Sequence, residues 1–212
     1  MDCCPSFEWT GILLAGGKST RMGVDKRHLA LRCLNQQSLM ENAGQLLASL
    51  CAERLVLVPT LAELNLPVGF SPLADGCPGQ GPLQALSDSL LRIHTAYALV
   101  IPVDMPNLRA DQLLPWMHSM TQPDFGGLAR FVLDSRQRPT FPLIAKQEFA
   151  APLAAEVAKG QVRLFPALRA AGADATSPDW QLAHGSGFDP LLNLNHPADI
   201  ETLESGFPPA CA

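Results

Sequence analysis

The sequence predicts a three-layer α/β/α fold with a mainly parallel, Rossmann-like sheet, and two patterns carry that prediction. Short apolar runs at Thr10 to Ala15, Arg54 to Val58, Tyr97 to Val103 and Leu128 to Asp134 are written as buried parallel strands. Between them, apolar residues recur at helical spacing: Leu39, Ala43, Leu46, Leu47 and Leu50, then Leu83, Leu86, Leu90 and Leu91, then Leu113, Leu114 and Met117. Strands that alternate with helices require right-handed crossovers and a sheet covered on both faces. Such sheets bind ligands at the carboxyl ends of their strands.

Taken in order, the first run closes on Gly16 and Gly17, as a buried strand entering a loop does. The run Tyr97 to Val103 leads into a second loop, Pro102 to Pro106, aimed at the same crevice. After about residue 135 the pattern turns Pro-rich and less regular, with helical stretches at Phe149 to Ala158, Leu164 to Ala171 and Ala198 to Leu203. The acceptor side of a site is expected there.

A chain of 212 residues, 47% hydrophobic and 17% charged, fits one domain over residues 1–212, with 1–9 as a lead-in that could be disordered. Fifteen Lys and Arg against 20 Asp and Glu give a net charge of −5, which argues against general nucleic-acid binding. Basic residues are nevertheless bunched at Lys18, Arg21, Lys26, Arg27 and Arg32, relieved only by Asp25, so a local anion site is open. No apolar run is long enough for a membrane span, and Asp2 and Glu8 stand where a signal peptide would be basic. The expected compartment is the cytoplasm. The 6 Cys lack CxxC spacing and read as free thiols, and the 5 His show no zinc-binding spacing. No GxSxG elbow is present.

Chemistry concentrates in Leu14-Ala15-Gly16-Gly17-Lys18-Ser19-Thr20-Arg21-Met22-Gly23-Val24-Asp25-Lys26. A glycine pair after a strand lets backbone amides approach phosphate oxygens, and Arg21 and Lys26 supply cations above the loop. The same residues taken alone also suit a glycine turn with solvated charges. The stretch is not a P-loop, because that pattern needs glycine where Ile12 stands. In Pro102-Val103-Asp104-Met105-Pro106, two prolines grip an aspartate at a strand's carboxyl end, so Asp104 is either a carboxylate held in the crevice or the cap of a helix over Asn107 to Met120. Further on, Asn193 and Asn195 alternate in an extended segment, offering amide donors and acceptors to one polar ligand.

The LAGGKSTRMGVDK stretch matches LAGGxSxRMGxDK, and by it the chain resembles the nucleotidyltransferases similar to molybdenum cofactor guanylyltransferase. Gly81-Pro82-Leu83 after Asp75 resembles that family's D…GPLxG segment, with Ala85 in place of the usual glycine. Pro102 to Pro106 is similar to PxDxP, Arg138-Pro139-Thr140 to a later element, and Asn193 to Asp199 to NxNTPED. Lys159 to Phe165 resembles the guanylyltransferase's own basic segment. One departure concerns base choice: Pro59-Thr60 follows the second strand where the guanylyltransferase has a nucleotide-contacting asparagine.

The resemblance implies a fold of the nucleotide-diphospho-sugar transferase type and a Mg²⁺-dependent transfer of GMP from GTP to molybdopterin, or Mo-molybdopterin, with release of pyrophosphate. It implies that Leu14, Ala15, Gly16, Gly17, Lys26, Asp75 and Asp104 bind nucleotide, that Lys26, Arg21 and Asp104 are catalytic, and that Asp104 holds Mg²⁺. Arg138, Asn193 and Asn195 would bind the acceptor, and molybdoenzyme maturation proteins would be partners. Two alternatives stay open: a cytidylyltransferase on the same pterin or a sugar-phosphate nucleotidyltransferase, and a nucleotide-binding sensor without turnover.

Overall fold

In the computed structural model, residues 8–16, 25–58, 66–74, 81–177 and 189–205 are described, except for the side chains of Lys26 and Ala74. The first apolar run forms β1 (Trp9–Leu14), one residue earlier than its pattern suggests, with Trp9 fully buried and stacked on Tyr97 at 5.0 Å between ring centroids. The other expected strands form β2 (Glu53–Val58), β4 (Tyr97–Pro102) and β5 (Ala129–Leu133). The helices follow their predicted spacing: α1 (Leu39–Leu50), α2 (Pro82–Leu90), α3 (Ala110–Thr121), α4 (Ala150–Ala158), α5 (Leu164–Ala170) and α6 (Pro197–Ser205). Local chemistry sets their starts. Ser38 and Glu41 close a capping box on α1, with the Glu41 amide donating to Ser38 Oγ at 3.2 Å and the Ser38 amide to Glu41 Oε2 at 2.7 Å. Gly81 precedes α2 at φ 91°, a left-handed angle that costs glycine little, and Pro82 opens the helix.

Three further strands were not read from the sequence: β3 (Ser71–Ala74), β6 (Pro139–Lys146) and β7 (Ala173–Thr176). The stretch after residue 135, expected to be irregular, therefore supplies a strand inside the sheet. The full order is β3-β2-β1-β4-β6-β5-β7. β1 pairs in parallel with β2 and β4, β2 with β3, and β5 with β7, while β6 runs against both β4 and β5. Pro142 has no N–H for the ladder, and the register with β5 shifts between Phe131 and Val132, so that Phe131 faces Leu143 and Val132 faces Thr140. That irregularity lets a proline-bearing strand lie between two others.

Side chains along each strand alternate between two cores. Leu13, Leu99 and Ile101 pack with α1, α3 and the buried Leu191, Leu194 and Leu203 on one face. Ile12, Val100 and Phe131 pack with α2, α4 and α5 on the other. This is the expected three-layer arrangement. Gly11 allows α1 to lie close on β1, since a Cβ there would meet Leu47 Cδ2 at 3.0 Å. Most important for a site, the chain moves from β1 to β2 and β3 on one side, then returns to lay β4 on β1's other side. The topological switch therefore lies between the carboxyl ends of β1 and β4.

Candidate active site

β1 ends at that switch, and its exit is fixed from both sides. The Ala15 amide donates to the Leu57 carbonyl at 3.0 Å, and the Val103 amide donates to the Leu14 carbonyl at 3.1 Å. Ala15 is buried, Leu14 is half-buried, and Gly16 is exposed, with nothing among the described residues within 4 Å of where a Cβ would stand. Protein packing does not demand a glycine at 16. Gly17 and Arg21 lie outside the described residues, as does Asp75. The chain re-enters at Asp25 and forms a 3-10 turn, Lys26–His28, packed on α1. Arg27 Nε donates to both Asp25 carboxylate oxygens at 2.9 Å, and chiefly through this side-chain bond it holds the Asp25 carboxyl below its ordinary range.

Across the switch, β4 runs into Val103-Asp104-Met105. Val103 and Met105 are buried in the α3-side core, so the residue between them is turned outward and only half-buried, with its Oδ1 enclosed. The other role open to Asp104, capping the next helix, does not occur: α3 begins at Ala110 with Arg109 at its N-cap. Three bonds immobilise the loop. Asn42 Nδ2, from α1, donates to the Pro106 carbonyl at 3.2 Å. Asn107, 5% exposed, donates from Nδ2 to the Asp189 carbonyl at 2.9 Å. The Leu194 amide donates to the carbonyl of Asp104 itself at 2.9 Å.

The last two bonds bring in the segment that carries both asparagines. Leu194 is fully buried, so its neighbours Asn193 and Asn195 face away from the core, as the alternation predicts. Asn193 Oδ1 is buried and has no hydrogen-bond partner among the described residues. Asp189 Oδ1 accepts from the Leu191 amide at 2.9 Å, and Asp199 Oδ2 accepts from the amides of Asn195 and His196, each at 2.7 Å, fixing the entry to α6. The segment therefore arrives beside Asp104 braced at both ends.

Arg138 is less closely engaged. It follows the β5–β6 turn, at the same sheet edge because β6 is antiparallel to β4, but its Nε donates to Asp134 Oδ2 at 2.7 Å. Ala85, which replaces the family's glycine, lies within α2 rather than in the turn before it, half-buried and packed on the α2-side core together with Leu14. Neither of two surface cavities, one beside α1 and one around Phe125, includes Asp104. Residues 17–24, 59–65 and 75–80, which follow β1, β2 and β3 in sequence, lie outside the described residues. The departure at Pro59-Thr60 falls among them.

Sequence reading singled out Leu14, Ala15, Gly16, Asp104, Asn193 and Asn195, and the structure gathers all of these at one edge. It missed the residues that do the gathering, Asn42, Asn107 and Asp189.

No group of three metal-ligating side chains occurs among the described residues. The donor set still fits Mg²⁺, which takes oxygen ligands and commonly binds through one or two carboxylates together with substrate phosphates. Asp104 is a carboxylate of that kind.

Gly16 at the exit of β1 and the carboxylate of Asp104 after β4 flank the switch of a mainly parallel sheet, and the family that its sequence matches makes the chain a nucleotidyltransferase. Residues 11–180 match the MobA-like NTP transferase domain, and the chain belongs to that family. A probable molybdenum cofactor guanylyltransferase of Chloroflexus aggregans is 35% identical over 206 residues, 92% of this chain and 93% of its own. Among solved structures, molybdopterin-guanine dinucleotide biosynthesis protein A of Archaeoglobus fulgidus superposes with a TM-score of 0.70 at 16% identity, over 92% of this chain and 97% of its own. The 2-C-methyl-D-erythritol 4-phosphate cytidylyltransferase of Thermus thermophilus does so with a TM-score of 0.65 at 14% identity, over 92% and 97%. These two likenesses establish the fold.

Proposed function

We propose that the chain works in molybdenum cofactor biosynthesis, transferring GMP from GTP to the phosphate of molybdopterin, with or without its metal, and releasing pyrophosphate. The observation that carries this reading is the bond from the Leu194 amide to the Asp104 carbonyl, which joins the acceptor segment to the loop beside the nucleotide strand. The Chloroflexus relative, matched along nearly its full length, supports the choice of base and acceptor.

In this reading Gly16, Gly17 and neighbouring amides hold the triphosphate, and the bare Cα of Gly16 leaves room for phosphate oxygens. Lys26 and Arg21 offset its charge, while Leu14, Ala15 and Asp75 frame base and ribose. Asp104 holds Mg²⁺, which supplies charge neutralisation on the phosphate oxygens. Asn193 and Asn195 orient the acceptor, Asn193 Oδ1 accepting a ligand N–H or O–H in place of its missing partner. The acceptor's phosphate monoester is mostly anionic at neutral pH, so this chain needs no general base. Alignment and charge carry the reaction.

Pro59-Thr60 favours a second reading, a cytidylyltransferase on the same pterin, because no side-chain amide stands there for the base. The two separate when the full-length protein is mixed with Mg²⁺, molybdopterin and each of GTP, CTP, ATP and UTP, and the dinucleotide is identified by mass. Guanine dinucleotide with pyrophosphate is expected. A cytosine product would overturn the base assignment, and nucleotide binding without pyrophosphate release would make the protein a sensor.

A further inference from the structure

Asn107 is a polar side chain at 5% exposure in the loop between β4 and α3, and its amide crosses to the main chain of a segment far along the sequence. A buried amide donor spent on a backbone carbonyl constrains geometry more than chemistry, since it does not depend on which side chain the partner carries. Its partner, the Asp189 carbonyl, belongs to a tight turn closed by Asp189 Oδ1 on the Leu191 amide, and Leu191 is buried in the α3-side core. From that turn the chain runs directly to Leu194, whose amide grips the Asp104 carbonyl at 2.9 Å. Two bonds, from Asn107 and to Asp104, therefore pin the two ends of one short segment to one loop. Asn193 and Asn195 lie in or just beyond the pinned stretch.

We propose that Asn107 is a positioning residue for acceptor binding: by holding Asp189 it sets the distance and facing of Asn193 and Asn195 relative to Asp104, and with them the affinity of the site for the acceptor. The proposal rests on the assignment of the two asparagines to the acceptor. It differs from a purely structural role in which substrate it affects. Among the described residues, the Asn107 side-chain bond runs to Asp189, whereas the bonds of the β1 exit run through Leu14, Ala15, Leu57 and Val103. Loss of its amide should loosen the acceptor segment while leaving the nucleotide side in place.

The test compares wild-type protein with Asn107→Leu, which keeps similar volume without a donor, and Asn107→Ala, which cannot overpack. Amide exchange at Leu191 and Leu194 should accelerate about tenfold in both, a measurement that needs no substrate. KM for molybdopterin should rise about tenfold, the scale of one lost hydrogen bond, with kcat and the GTP KM changed by less than about twofold. Unchanged exchange at both amides would overturn the proposal, and so would a fall in kcat with the molybdopterin KM intact. If wild-type protein made no dinucleotide from molybdopterin, the functional reading would fail separately, and the exchange rates would still decide whether Asn107 holds the segment.

Discussion

At Gly16 the proposed function assigns the absence of a side chain to a ligand. Among the described residues a Cβ would meet nothing within 4 Å, and the backbone angle is not in the left-handed region, in contrast to Gly81 at φ 91°. Gly16→Ala should therefore leave the unfolding free energy within about 0.5 kcal/mol of wild type, as for surface changes that touch nothing. It should weaken Mg-nucleotide binding about tenfold, by putting a methyl group where phosphate oxygens approach. Denaturant unfolding and a nucleotide titration on the same preparation check this; equal binding would remove Gly16 from the site. Among single residues, the candidates for chemistry stand out in the sequence, and the side chains that fix their positions do not. Asp104 announces itself between two prolines at the end of an apolar run. Asn42 and Asn107 act on residues 64 and 82 positions away, and no local pattern encodes such pairs.

At the scale of elements, legibility follows hydrophobic content and pairing. β1, β2, β4 and β5 each contain an apolar run, whereas edge strand β3 is four residues with a proline, and β7 is Ala-Asp-Ala-Thr with both central residues exposed. β6 was hidden by Pro139 and Pro142, which its pairing accommodates through the register shift opposite Phe131 and Val132. One contact between elements carries a pH dependence. Glu204 of α6 accepts from the side chain of Arg32 at 3.0 Å and from its backbone amide at 3.1 Å. First the side-chain bond and then the backbone bond hold its carboxyl below the ordinary 4.5. A carboxyl depressed by folding contributes stability above its unfolded value and loses it as pH falls through the lower folded value. Amide protection in α6, taken relative to the intrinsic exchange rate at each pH, should accordingly fall between about pH 5 and 3 in wild type. Glu204→Gln should be less protected at pH 6 and flatter with acid, by a small, salt-sensitive margin because the pair is partly exposed. Parallel acid profiles in the two proteins would contradict the assignment.

Across the whole molecule, these contacts form a circuit around the sheet's carboxyl edge. The β1 exit is bonded to β2 and to the Asp104 loop, that loop to α1 and to the segment from Asp189 to Leu194, and α6 beyond it to Arg32, which lies just past the Lys26 turn. The segment after residue 189 packs against the same core as α1 and α3, so residues from the start, middle and end of the chain share one crevice. Strand and helix alternation foretold that crevice, because the fold class alone determines which ends of the strands face it. The circuit that holds it could not be read in advance, since each link joins segments whose proximity exists only once the sheet has formed. The reading turns on Asp104, and the most direct measurement is Mg²⁺-dependent turnover of the Asp104→Ala protein beside wild type. Removal of such a group should lower kcat by about 10²- to 10³-fold, with the fold retained. Near-normal turnover with an unaltered Mg²⁺ requirement would contradict the account.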